Sequence, residues 1–195
     1  MSKGYYITIK ESISTPVNIE AKDKIEQRIK LRSILPKAQM KDLLKIALLE
    51  LGFIEKEGLL IRLDETGEEQ IVNLESLTLT AQIQRSEQEM RTLSKEKRIT
   101  LEKRSKQEHI KQELKEQLKE QVDNLTTEHS DRLQLEIASE LAQNTPKRNE
   151  LIHTALQRVY AEALKQKAQS LGQVIEQSEH TSEDGQYELN IKIEL

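Results

Sequence analysis

The sequence predicts an α+β fold. In it, N- and C-terminal strands and short helices form one body, and a long, coiled-coil-like helical arm is inserted between them. Two observations carry this expectation. Residues 81–143 contain neither Gly nor Pro and are dense in Glu, Gln, Lys, Arg and Leu, residues that lose little rotamer freedom in a helix. On either side lie short runs in which apolar and polar residues alternate, the pattern of half-buried strands. At about 1.5 Å per residue a continuous helix over 81–143 would extend roughly 95 Å. A compact domain of this chain length spans about 30–40 Å, so the helix either projects or folds back. The expected segments are 1–80, an N-terminal α+β part; 81–146, the helical arm; and 147–195, a helix and hairpin that rejoin the first part.

Tyr5, Ile7, Ile9 and Ile13 share one face of a first strand, which Ser14-Thr15-Pro16 interrupts. Ile25, Ile29, Leu31 and Leu35 take alternate places in a second strand over 24–35, with a helix as the rival reading. Pro36 suits the first turn of a helix, where its missing N–H costs nothing. Met40, Leu43, Leu44, Ala47, Leu48 and Leu51 form the apolar stripe of that helix, and Gly52 stops it. Strands 59–63 and 70–74 flank Asp64-Glu65-Thr66-Gly67, a hairpin turn in which Gly supplies positive φ. Residues 76–80 offer N-caps for the arm. Thr145 before Pro146 reads as the start of a further helix, and Thr126-Thr127 as a weaker break. Leu151, Ile152, Ala155, Leu156, Val159, Ala163 and Leu164 carry this last helix to Gly172. Tyr187, Leu189, Ile191 and Ile193 then alternate in a closing hairpin.

Composition narrows the function. Charged residues make up 33% of the chain and aromatic residues 3%, so large side chains that fill a broad core are scarce. A formal net charge of −4 gives no whole-chain attraction to nucleic acid or anionic lipid. Without cysteine there is no disulfide, thiolate metal site or thiol nucleophile. No signal-like or membrane-spanning apolar run is present, and a cytoplasmic protein is the expectation. No phosphate-binding loop, HExxH or nucleophile elbow occurs. His109, His129, His153 and His180 are dispersed, whereas a metal site needs three or four converging ligands. Glu65, Glu68 and Glu69 read as solvated turn residues. No catalytic, cofactor-binding or metal-binding residue is therefore assigned, and the chain is not expected to be an enzyme.

Leu51-Gly52-Phe53 and Asp184-Gly185-Gln186-Tyr187-Glu188-Leu189 belong to two helix-Gly-hairpin units, one near each end, and Ile7-Thr8-Ile9-Lys10 lies in the first strand. In these the chain resembles small bacterial proteins encoded beside AAA+ ATPases. The resemblance covers the two ends and implies an accessory role next to an ATPase. It carries no functional residues.

The arm supplies the candidate surfaces. Ile110, Leu114, Leu118, Val122, Leu133, Ile137 and Leu141 form an apolar seam at helical spacing, preceded by an all-polar stretch at 102–109. A seam left unsatisfied within the chain seeks another helix, so these residues are the expected partner-binding surface. They would bind a larger protein assembly, with an ATPase among the candidate partners, or a second copy of the arm. Residues 91–119 hold ten basic and five acidic side chains. Arg98, Lys103, Arg104 and Lys106 are its densest basic cluster and the candidate phosphate contacts of an alternative, nucleic-acid-binding reading. Interleaved acids and missing aromatics weigh against that alternative. The preferred expectation is a non-catalytic scaffold or adaptor.

Overall fold

The computed structural model describes residues 6–100, 106–181 and 187–194. In chain order the elements are β1 (Tyr6–Arg28), α1 (Lys37–Glu50), β2 (Ile54–Lys56), β3 (Leu59–Leu63), β4 (Glu69–Asn73), β5 (Thr78–Thr100), α2 (Gln107–Gln143), α3 (Thr145–Leu171), β6 (Gln173–Thr181) and β7 (Tyr187–Glu194). Five strands form a sheet in the order β1-β5-β4-β3-β2, and β6 and β7 pair separately. The fold class is α+β, as expected. The described residues pack as two compact units, one within Met1–Asp23 and Gln84–Ala138, the other within Lys24–Ile83 and Ser139–Leu195.

The first unit corrects the reading of the arm. Residues 81–100 are not helical but continue β5 as a 23-residue strand. The misreading has a physical cause. Beyond Ile83 the half-buried positions of β5 are Arg85, Arg91, Leu93, Lys95 and Thr100, and only Ile99 is buried, so the inward face carries little apolar alternation. Long-range partners stabilise this stretch instead of local propensity. Ser14 Oγ lies 2.9 Å from Thr92 Oγ1 on the neighbouring strand. Lys97 pairs with Glu113 at 3.2 Å, and Lys95 donates to Gln117 at 3.3 Å. These contacts lay α2 antiparallel along β5. Ser130 and Gln134 donate to the main-chain oxygens of Glu20 and Lys22, at 3.3 and 3.0 Å, and so hold α2 to β1. This unit is therefore one helix on a two-stranded ribbon.

Two further expectations are corrected here. Pro16 does not end β1, which runs from Tyr6 to Arg28, while residues 29–35 lie outside any strand. β1 is an edge strand, where a residue without an N–H is tolerated. Thr126 and Thr127 do not break α2. Their hydroxyls donate to the carbonyls of Val122 and Asp123, at 2.6 and 3.0 Å, a back-bond that keeps Thr inside a helix.

The second unit holds the larger core. Met40, Leu44, Ala47 and Leu48 of α1, Leu60, Val72 and Leu79 of the sheet, and Ile152, Ala155, Val159 and Ala163 of α3 pack in one cluster. The β3–β4 hairpin forms as expected, with Leu60 opposite Val72. Asp64 accepts from Thr66 N–H at 2.8 Å, and Gly67 takes φ +84°. Strand β2, which the sequence did not announce, pairs with β3 through a turn at Glu57-Gly58, both at positive φ. β6 and β7 lie against α3 and do not extend the five-stranded sheet. At Asn144 the helical path bends without reversing. Asn144 keeps helical angles, and Arg148 N–H still donates to Asn144 O at 3.1 Å. Thr145 is not an N-cap; its hydroxyl donates back to Leu141 O.

Candidate protein-docking site

The sequence-predicted seam is buried. Ile110, Leu114, Leu118, Val122, Leu133 and Ile137 lie in the ribbon-and-helix unit and Leu141 in the other, and none is exposed. Ile110 and Leu114 pack with Ile9 and Ile99. A seam covered by the chain's own strands offers nothing to a partner, so the expected partner-binding role of these residues is corrected. For the six residues of the ribbon-and-helix unit, the reason is the strand character of 84–100, which a helical reading of that stretch withheld.

Of the candidate phosphate contacts, Arg98 and Lys106 are exposed. Lys103 and Arg104 lie outside the described residues. Much of the remaining basic charge of 91–119 is engaged within the unit: Arg91 with Glu89 at 3.0 Å, Lys97 with Glu113 at 3.2 Å and Lys111 with Glu108 at 3.0 Å. The Glu108 carboxylate, by hydrogen bond and charge, raises the pKa of Lys111. His129 is half-buried, with Arg91 Nη2 3.0 Å from its Nδ1 and Glu87 3.5 Å from its Nε2. Among the described residues no group of three or more His, Cys, Asp or Glu is arranged to hold a metal ion.

A buried polar network at the bend sets α3 in place. Glu68 is 0% and Arg148 2% exposed, and Arg148 Nη1 donates to Glu68 Oε2 at 2.6 Å. Arg148 Nη2 also donates to Leu141 O at 2.6 Å and Thr145 Oγ1 at 2.8 Å. It thereby serves a carbonyl next to the one that Pro146, lacking an N–H, leaves open. Asn144 Nδ2 and Gln70 Nε2 each donate to Glu68 at 3.1 Å. The expectation that Glu68 is solvated is thus corrected; Glu65 is exposed and Glu69 half-buried. A signal for Arg148 was present. It stands in phase with buried Ile152, Ala155 and Val159, and a cation on an apolar phase needs a buried partner.

Between α1 and α3 lies an open groove of about 520 Å³. Leu43, Ile46, Ala47, Val159 and Ala161 supply its apolar lining, and Glu50, Arg158, Glu162 and Lys165 its charged rim. Ile46 is 53% exposed. It stands beside the buried Met40–Leu44–Ala47–Leu48 stripe of α1, one turn from Leu43 and Glu50. One rim pair, Arg158–Glu50, closes at 3.0 Å. At one end Glu179 of β6 and Tyr187 of β7 line the groove. Glu179 accepts from Lys165 at 2.6 Å, Tyr187 at 2.8 Å and Gln177 at 2.9 Å. These donors, Lys165 foremost, hold its carboxyl below the usual carboxylate range. Loss of solvation and the bond to Glu179 push the Tyr187 phenol up to about 12. The arrangement is an apolar trough with a mixed-charge rim, shaped to receive side chains.

The family model described as FtsH ternary system domain X5 matches residues 1–195. The chain belongs to this family. No curated protein and no solved structure matches it. The family accords with the resemblance of the two ends to proteins encoded beside AAA+ ATPases, and it extends that relation to the whole chain. Among the described residues no helix is long and apolar enough to cross a membrane.

Proposed function

We propose that the chain is a non-catalytic adaptor of an FtsH-associated system, and that it docks an amphipathic helical segment of the FtsH component in the α1–α3 groove. The observation that carries this reading is the half-exposed Ile46 over an apolar trough between two packed helices. A helix laid in such a groove inserts apolar side chains at i, i+3 and i+4 and keeps its polar face in water. The rim presents both signs of charge, which orients an incoming helix without requiring it to be strongly acidic or basic. The family's description supports an ATPase-linked partner. The test is binding of the purified chain to the purified FtsH component by biolayer interferometry, with Ile46→Asp as the probe. Because Ile46 is 53% exposed, the variant keeps its fold by circular dichroism. Affinity should fall at least about ten-fold, as for an anchor residue of an interface. Undiminished binding by Ile46→Asp, or no binding by the native chain, would overturn the proposal.

A further inference from the structure

Strand β7 has mostly polar neighbours on the one side where it is paired. On β6, Thr181 stands opposite Tyr187, Glu179 opposite Leu189 and Gln177 opposite Ile191, while Val174, opposite Ile193, is apolar. Yet Tyr187, Leu189, Ile191 and Ile193 form a continuous apolar row, each only half-buried, while Glu188, Asn190, Lys192 and Glu194 are exposed. Among the described residues no strand pairs with the other edge of β7. An apolar row at an unpaired edge is a template for another strand, and stabilisation in a sheet comes from matched cross-strand side chains.

We propose that this edge pairs with β7 of a second copy, antiparallel and centred on Asn190. The sequence of β7 is self-complementary about that residue. Tyr187 meets Ile193 of the second copy, Glu188 meets Lys192, Leu189 meets Ile191, and Asn190 meets itself. Every apolar residue faces an apolar residue on the same side, and two Glu–Lys pairs form on the other side. Centring on Ile191 instead sets Glu188 against Glu194, a like-charge pair that counts against that register. The result is a four-stranded sheet in which the β7 row becomes central and is covered from both sides. Eight residues of strand make a small interface, so the dimer is weak and depends on concentration. Of β7, Tyr187 alone also lines the α1–α3 groove, and the inference does not rest on docking there.

The test uses the full chain in sedimentation equilibrium from about 5 to 500 µM, a range suited to a small interface. The native chain should move from 22.6 kDa towards twice that mass. Glu188→Lys places Lys against Lys192 of the second copy, and Lys192→Glu places Glu against Glu188. Each variant alone should self-associate at least about ten-fold more weakly. Mixed in equal amounts, the two should dimerise again, because both cross-copy pairs become Lys–Glu. The chain has no cysteine, so Asn190→Cys adds a single thiol. Lying opposite itself at strand-pair distance, it should close a disulfide between copies under mild oxidation. A native chain that stays monomeric throughout, or a mixture of charge variants that stays monomeric, would overturn the inference.

Discussion

Replacing Arg148 with Ala tests the account of the bend. The side chain is 2% exposed and stands 2.6 Å from a carboxylate that is 0% exposed. Its removal leaves Glu68 with only the neutral amides of Asn144 and Gln70, both at 3.1 Å. It also takes a 2.6 Å donor from Leu141 O. Breaking a buried ion pair from one side costs about 3–5 kcal/mol, because the stranded charge keeps its desolvation penalty. With a urea slope near 2 kcal/mol/M, the midpoint should fall by roughly 1.5–2.5 M. The assay is urea unfolding read by amide exchange in β3, β4 and α3, all elements of one unit. The double variant Glu68→Gln/Arg148→Met removes both charges and should recover to within about 1–2 kcal/mol of the native chain. A cost under about 1 kcal/mol for Arg148→Ala, or a double variant as unstable as the single one, would refute the reasoning.

Leu118→Ala should destabilise the ribbon-and-helix unit by about 2–5 kcal/mol, as expected for a buried leucine; an unchanged urea midpoint would return the seam to the role of a free surface. Arg98→Glu/Lys106→Glu should leave the fold intact, and the native chain should bind DNA or RNA no better than weakly at about 150 mM salt. Sub-micromolar binding there, abolished by the two changes, would favour the nucleic-acid reading. The Glu179 cluster, which ties Tyr187 of β7 and Lys165 of α3 to β6, should depend on pH at both extremes. The Glu179 carboxyl is lowered by Lys165, so its contribution is present above the unfolded carboxylate pKa and is lost as pH falls through the lower folded value. The Tyr187 phenol is raised to about 12, so its contribution is complete below the unfolded value of about 10 and is lost between about 10 and 12. Tyrosinate absorbance of the native chain against Tyr187→Phe reads the upper limb, and a Tyr187 phenol titrating near 10 would contradict it.

The sequence revealed what local patterning controls. Helix α1 is bounded by Pro36 and Gly52, and the β3–β4 turn by Asp64 and Gly67. β7 alternates cleanly, and Pro146 marks the bend. It hid what distant residues control. From Gln84 to Thr100, β5 has the composition of a helix, and only pairing with β1 and ion pairs to α2 make it a strand. That one stretch changed the meaning of Ile110, Leu114 and Leu118 from an exposed seam to an interior. Glu68 looked solvated because its cation, Arg148, lies 80 residues away. The groove was out of reach for the same reason: Leu43 and Ile46 had to be set beside Val159 and Ala161 before an apolar trough existed.

The docking proposal is tested most directly by photo-crosslinking. A photoreactive amino acid at Ile46 of α1, and separately at exposed Met90 of β5, would be irradiated with the purified FtsH component of the system. Crosslinks from position 46 and none from position 90 are predicted. Crosslinks from position 90 with none from position 46 would contradict it.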